Sequence, residues 1–211
     1  MTNSIAIFCG SALGSDQIFS ETARQVGHAI AEQGKTLVYG GGRSGLMGIV
    51  ADSALEAGGQ VIGVIPHVLV DRELAHQGLT ELHVVKDMQE RKLKMSALSD
   101  GFIAMPGGAG TLEEIFEQWT WAQLGIHLKP NAFLNVNGFY DDLLKFLKMT
   151  TDKGFTHARF TDSLIVSDSV KAILKQMDQF QAPEPKWGMV ILSCWMSKHE
   201  GDYGRCSYYC E

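Results

Sequence analysis

Gly101-Phe-Ile-Ala-Met-Pro-Gly-Gly-Ala-Gly-Thr-Leu-Glu-Glu114 is an apolar run that breaks into glycines and then resumes as a helix. Gly101 to Met105 has the length and apolar character of a buried strand, Pro106 to Gly110 cannot continue it, and a helix running through Trp121 follows. The same succession occurs twice upstream. Ser4 to Cys9 ends in Gly10-Ser11 before a helical pattern with Ala23, Val26, Ile30 and Ala31; Thr36 to Tyr39 ends in Gly40-Gly41-Gly42 before a helix over Leu46 to Ala57 that Gly58-Gly59 stops. Further strands are expected at Val61 to Ile65, closed by Pro66, at Leu82 to Val85, at Ala132 to Val136 and near Leu164 to Val166. Helices are expected at Met88 to Leu98, Tyr140 to Thr151 and Val170 to about Phe180, whereas residues 66 to 80 have no clear period and read as a loop or an irregular helix. Short apolar strands alternating with helices pair in parallel through crossovers. The expected fold is therefore a single α/β domain over residues 1–186, a Rossmann-like doubly wound parallel sheet with helices on both faces. Ligands of such sheets collect at the carboxyl ends of the strands, and Gly10-Ser11, Gly40 to Gly45 and Pro106 to Gly110 all fall there.

Composition narrows the function. The 211 residues carry 18 Lys and Arg against 24 Asp and Glu, a net charge of −6, without a basic tract; nucleic-acid and anionic-membrane partners are not expected. No apolar stretch approaches the roughly 20 residues of a membrane-spanning helix, and the start MTNSIAIFCGSALG is unlike a signal peptide, so a cytoplasmic protein with reduced thiols is expected. Residues 187–211 differ from the rest. They hold two of the four Trp, three of the five Tyr and three of the four Cys with no periodicity, and read as an atypical, poorly ordered tail. Cys194, Cys206 and Cys210 lack a nearby fourth ligand and make a poor zinc site. His67, His76, His83 and His127 lack ligand spacing, and no metal is expected.

The chemistry concentrates in three segments. Tyr39 to Gly48, YGGGRSGLMG, reads as a phosphate loop leading into a helix N-terminus somewhat more than as a tight turn whose glycines permit close packing. Thr111 and Glu114 form T-x-x-E, which is the sequence of a helix capping box and also places a carboxylate beside a glycine loop. Glu90-Arg91-Lys92 lies on a charged helix, either as a solvated face or with Arg91 reaching the crevice to fork onto a phosphate or sugar oxygen. A G-x-S-x-G elbow, a Walker lysine and an H-E-x-x-H motif are all missing from the sequence, which removes serine-hydrolase, P-loop and zincin readings.

Together, YGGGRSGLMG at 39–48, ERK at 90–92 with Met95, and PGGAGTLEE at 106–114 resemble the LOG (Lonely Guy) family of cytokinin-activating phosphoribohydrolases, often labelled possible lysine decarboxylases. WTWAQLGIHLKP at 119–130 is also similar, and the resemblance spans residues 4 to about 187. It implies a homodimer that hydrolyses the N-glycosidic bond of an N6-substituted adenosine 5′-monophosphate to free base and ribose 5-phosphate, without a cofactor. It further implies Arg91 and Glu114 as the catalytic pair and Gly107, Gly108, Gly110 and Thr111 as the phosphate cradle. Ser11, Gly41, Gly42, Glu73, Lys92, Met95, Ala109, Leu112, Glu113 and Thr120 are the further substrate contacts, and Met95, Trp121 and Leu124 are candidates to line a prenyl pocket. Two alternatives stand beside it: a general purine nucleotide nucleosidase acting on AMP itself, and a non-catalytic nucleotide or molybdenum-cofactor carrier, which needs the cradle but not both Arg91 and Glu114.

Overall fold

The computed structural model describes residues 2–70 and 75–187. Seven strands form one sheet: β1 (Ser4–Phe8), β2 (Thr36–Tyr39), β3 (Gln60–Pro66), β4 (Glu81–Val85), β5 (Gly101–Ala104), β6 (Asn131–Leu134) and β7 (Ile165–Ser167). Their order is β4-β3-β2-β1-β5-β6-β7, and every pairing is parallel. The helices are α1 (Gln17–Glu32), α2 (Gly45–Glu56), α3 (Met88–Leu98), α4 (Ala109–Leu124), α5 (Asp141–Asp152), α6 (Ala158–Thr161) and α7 (Val170–Asp178).

The central strands are buried on both faces, which is why they read as unbroken apolar runs rather than alternating ones. The period of two still divides them. Ile5 and Ile7 face a core layer with residues of α1, α2 and α7, while Ala6 and Phe8 face the other layer with Met95 of α3, Ile115 and Trp119 of α4 and Leu147 of α5. On the first face α1 and α2 approach so closely that a Cβ on Gly27 would lie 2.5 Å from the Val50 carbonyl oxygen.

Two expectations are corrected in detail. The sixth strand stops at Leu134, because Val136–Gly138 turns into a short 3-10 segment in which Asn137 takes a left-handed φ of 49°. The short helix α6 has no counterpart in the sequence reading, since four residues are too few to show a period. Residues 67–69 form a single 3-10 turn. The tail expected at 187–211 lies, beyond Trp187, outside the described residues.

The strand order reverses direction between β1 and β5, the two central neighbours. That reversal opens a crevice at the carboxyl ends of these strands, between the loops that follow them.

Candidate active site

Three glycine segments meet at that crevice, and Gly10 joins them. Its N–H donates to the Pro106 carbonyl at 3.1 Å, and its own carbonyl accepts from the Leu46 N–H at 3.1 Å. Gly45 has a φ of +57°, and a Cβ there would lie 2.3 Å from the Ser11 carbonyl carbon. A Cβ on Gly107 would lie 2.1 Å from Thr111 Oγ1. Gly45 and Gly107 therefore have no room for a side chain, whereas Gly108 and Gly110 face open space.

This arrangement decides the reading of Tyr39 to Gly48. Gly41 and Gly42 are buried beneath the site: Gly41 packs against Ile65 and Leu82 at a φ of +76°, and Gly42 bridges to Ala75. Neither lines the crevice, and of this segment only Leu46 and Met47 reach it. The glycines here serve close packing.

A cavity of about 360 Å³ opens over these loops, lined by Cys9, Gly10, Ser11, Met47, Leu69, Met88, Arg91, Gly108, Ala109, Gly110, Thr111, Glu113 and Glu114. A second cavity of about 340 Å³ adjoins it across Gly10, Ser11 and Gly108, and Gly107 lies there. Helix α4 starts at the first cavity. Its N-cap is Gly108, which has no side-chain cap, so the first-turn N–H groups of Ala109, Gly110 and Thr111 have no intrahelical acceptor. The capping-box reading of T-x-x-E is thereby overturned, because Thr111 and Glu114 both lie inside the helix rather than at its N-cap. An uncapped, glycine-rich helix start is an anion seat.

Arg91 projects into this cavity from α3, whose N-cap Asp87 accepts from the N–H groups of Gln89 and Glu90. It is only 5% exposed. Its Nη2 donates to the Gly40 carbonyl at 3.1 Å and its Nη1 reaches Met88 Sδ at 3.7 Å, while its buried Nε has no hydrogen-bond partner among the described residues. Burying a cation with unspent donors is unfavourable unless something anionic or oxygen-rich accompanies it. Glu114, half-buried, lines the same cavity from α4. Cys9 registers both charges: burial first, and then the Glu114 carboxylate, push its thiol far up, against a smaller downward pull from Arg91. The solvated-face reading of α3 fails at this residue.

Lys92 points elsewhere. The residue is 8% exposed, and its ammonium pairs with Glu113 and with Glu117, the latter at 2.9 Å. Burial pulls its pKa down, but the two carboxylates outweigh that and hold it above the ordinary lysine value. Met95 is 1% exposed in the core, Leu112 packs against that core, and Thr120 is exposed along α4; none lines the cavity, nor do Trp121 and Leu124. Glu73 lies outside the described residues. Cys9, Leu69 and Met88 are cavity residues that lie outside the three motifs, and Met47 lines the cavity from within YGGGRSGLMG. Met88 was within reach of inference, since it precedes Arg91 by three positions on one helix face.

Comparison with known proteins gives the chain its relatives. Cytokinin riboside 5'-monophosphate phosphoribohydrolase LOG of Oryza sativa subsp. japonica is 42% identical over 186 residues, 88% of this chain and 76% of that protein. LOG7 of Arabidopsis thaliana, bearing the same enzyme name, is 42% identical over 177 residues, 84% and 82% of the two chains. Among solved structures, the Moco carrier protein of Chlamydomonas reinhardtii superposes with a TM-score of 0.64 at 21% identity, covering 85% of this chain and 97% of that one. The molybdenum cofactor binding protein of Rippkaea orientalis superposes with a TM-score of 0.64 at 20% identity, covering 85% and 97%. Those two likenesses bear on the fold alone. A family model described as possible lysine decarboxylase matches residues 47–177, and with these relatives it shows that the chain belongs to the LOG family.

Proposed function

We propose that this chain is a phosphoribohydrolase that cleaves the N-glycosidic bond of an N6-substituted adenosine 5′-monophosphate, giving the free base and ribose 5-phosphate. The observation that carries the reading is the convergence of buried Arg91 and half-buried Glu114 on one cavity at the uncapped start of α4. The 5′-phosphate takes the N–H groups of Gly108 to Thr111, where helix polarity favours negative charge. The ribose then lies over Glu114 and the guanidinium. Bond cleavage builds positive charge on the sugar and negative charge on the departing base. Glu114 stabilises the first and takes a proton from water as the water oxygen bonds to C1′ and the C1′–N bond breaks, while Arg91 orients the nucleotide and offsets charge on the leaving base, which takes up that proton as Glu114 returns to its carboxylate.

Decarboxylation, which the family description mentions, suits this site poorly. A Schiff base needs an unprotonated lysine, and Lys92 is held protonated between Glu113 and Glu117, off the cavity. The exposed position of Thr120, one of the substrate contacts implied by the resemblance, supports a homodimer in which a second copy closes the site.

The test is chromatography of free base after incubation with AMP and, separately, with an N6-prenyl adenosine monophosphate. We expect release from the prenylated nucleotide to exceed release from AMP, and Glu114→Gln to lower kcat by about 10²- to 10⁴-fold. Equal rates on both substrates would favour a general AMP nucleosidase, and tight nucleotide binding without release would favour a carrier.

A further inference from the structure

Gly40 is a glycine whose backbone does not need to be one. Its φ is not among the positive values in the chain, unlike those of its neighbours Gly41 and Gly45. What requires glycine is space. A Cβ on Gly40 would lie 1.9 Å from Arg91 Nη2, far inside contact distance, while the Gly40 carbonyl accepts from that same nitrogen at 3.1 Å. The residue thus presents the guanidinium with an acceptor and, in place of a side chain, a vacancy for it to occupy. Its other near neighbour is Met47 Sδ, 3.3 Å from the same hypothetical Cβ.

We propose that Gly40 is a positioning residue for the reaction: its missing side chain and its carbonyl seat Arg91 in the cavity, and any side chain there displaces the guanidinium without unfolding the protein. The inference rests on the phosphoribohydrolase reading for its kinetic consequence, though not for the seat itself. Both atoms that a new Cβ meets most closely belong to flexible side-chain ends, so the clash is relieved by motion of Arg91 rather than of backbone. Gly41 is the contrasting case. Its φ of +76° and the Val64 backbone nitrogen 3.2 Å from its hypothetical Cβ make substitution there strain the fold.

A double-mutant cycle with a spectroscopic readout tests this. Glycine 40 is changed to alanine in the wild-type and Arg91→Ala backgrounds, with Gly41→Ala as the control for fold damage. We expect G40A to keep a near-normal melting temperature, to lower kcat by about 100-fold, as displacement of a catalytic group by an ångström does, and to add little further loss in the R91A background. G41A should lower the melting temperature instead. In ¹H–¹⁵N spectra the buried Arg91 Nε–H, assigned from its disappearance in R91K, should shift or vanish in G40A. An unchanged Arg91 signal in G40A, or losses that multiply across the cycle, would overturn the proposal. A wild-type protein that releases no base from either nucleotide would overturn the reading of the function, and the Nε–H signal would still judge the seat.

Discussion

Arg91 illustrates what one residue's neighbours in sequence conceal. Flanked by Glu90 and Lys92 on a charged helix, it reads either as solvated or as reaching the crevice; the acceptor that holds it inward is the carbonyl of Gly40, 51 positions away. Glu114 was easier to single out because its glycine loop precedes it directly, yet its two readings were separated only when the N-cap fell on Gly108. Cys9 escaped notice as a site residue for the opposite reason, being an apolar position in an apolar strand. Its place beside Arg91 and Glu114 invites a nucleophilic role, which the electrostatics oppose: burial and Glu114 keep the thiol protonated far above neutral pH, and a thiol attacks as its thiolate. Cys9→Ala should accordingly retain kcat/KM within about tenfold of wild type, measured by base release. A loss comparable with that of Glu114→Gln would return Cys9 to the chemistry.

At the scale of elements, the catalytic pair depends on two helices keeping their spacing. Arg91 and Lys92 are adjacent in sequence on α3, Glu113 and Glu114 on α4, and the Lys92 clasp on Glu113 and Glu117 ties the two helices one residue away from each member of the pair. A turn further along, Ser96 Oγ donates to Gln118 Oε1 at 2.8 Å, extending the polar seam in a buried setting. Both helices were legible in the sequence, although the start of α4 was not, since its N-cap is Gly108 and not Thr111. The seam was not, because it is a pairing of Lys92 on one helix with Glu113 and Glu117 on another, which the spacing within either helix does not show. Lys92→Met should cost about 1 kcal/mol and lower the melting temperature by about 2–4 °C, while lowering kcat through loosened spacing of α3 and α4. The pH dependence has a definite sign. The folded pKa of Lys92 is raised, so its contribution is complete below the ordinary value of 10.5 and is lost as pH rises through the folded value. Alkaline melting curves of K92M and wild type should therefore converge; a constant separation up to the highest pH would remove the clasp from the account.

For the whole molecule, the alternation of strands and helices was sufficient for a parallel sheet with two helical layers. Strand order was a different matter, since the placement of β5 beside β1 depends on which crossover covers which face, a property of packing between distant segments. That placement makes the crevice, and at the opposite end of β1 a polar tie joins three segments. Thr2 donates through its N–H and its hydroxyl to Asp178 Oδ1 at 3.0 and 2.7 Å, and buried Lys35, just before β2, reaches the same carboxylate at 3.0 Å. One carboxylate at the end of α7 thus ties together the first strand, the entry to the second and the last helix. The Thr2 hydroxyl bond leads in lowering the pKa of Asp178 to about 2; partial burial opposes it and Lys35 assists. Because the folded value lies below the ordinary 3.8, this tie stabilises the protein above about pH 4 and is lost as pH falls towards 2. The carboxylate is 32% exposed, so solvent screening holds its worth to about 1 kcal/mol. Asp178→Asn should lower the melting temperature by about 2–4 °C at pH 7 and by clearly less at pH 2, where wild type has lost most of the same interaction. Equal deficits at both pH values would assign the tie to packing of the side chain instead of its charge.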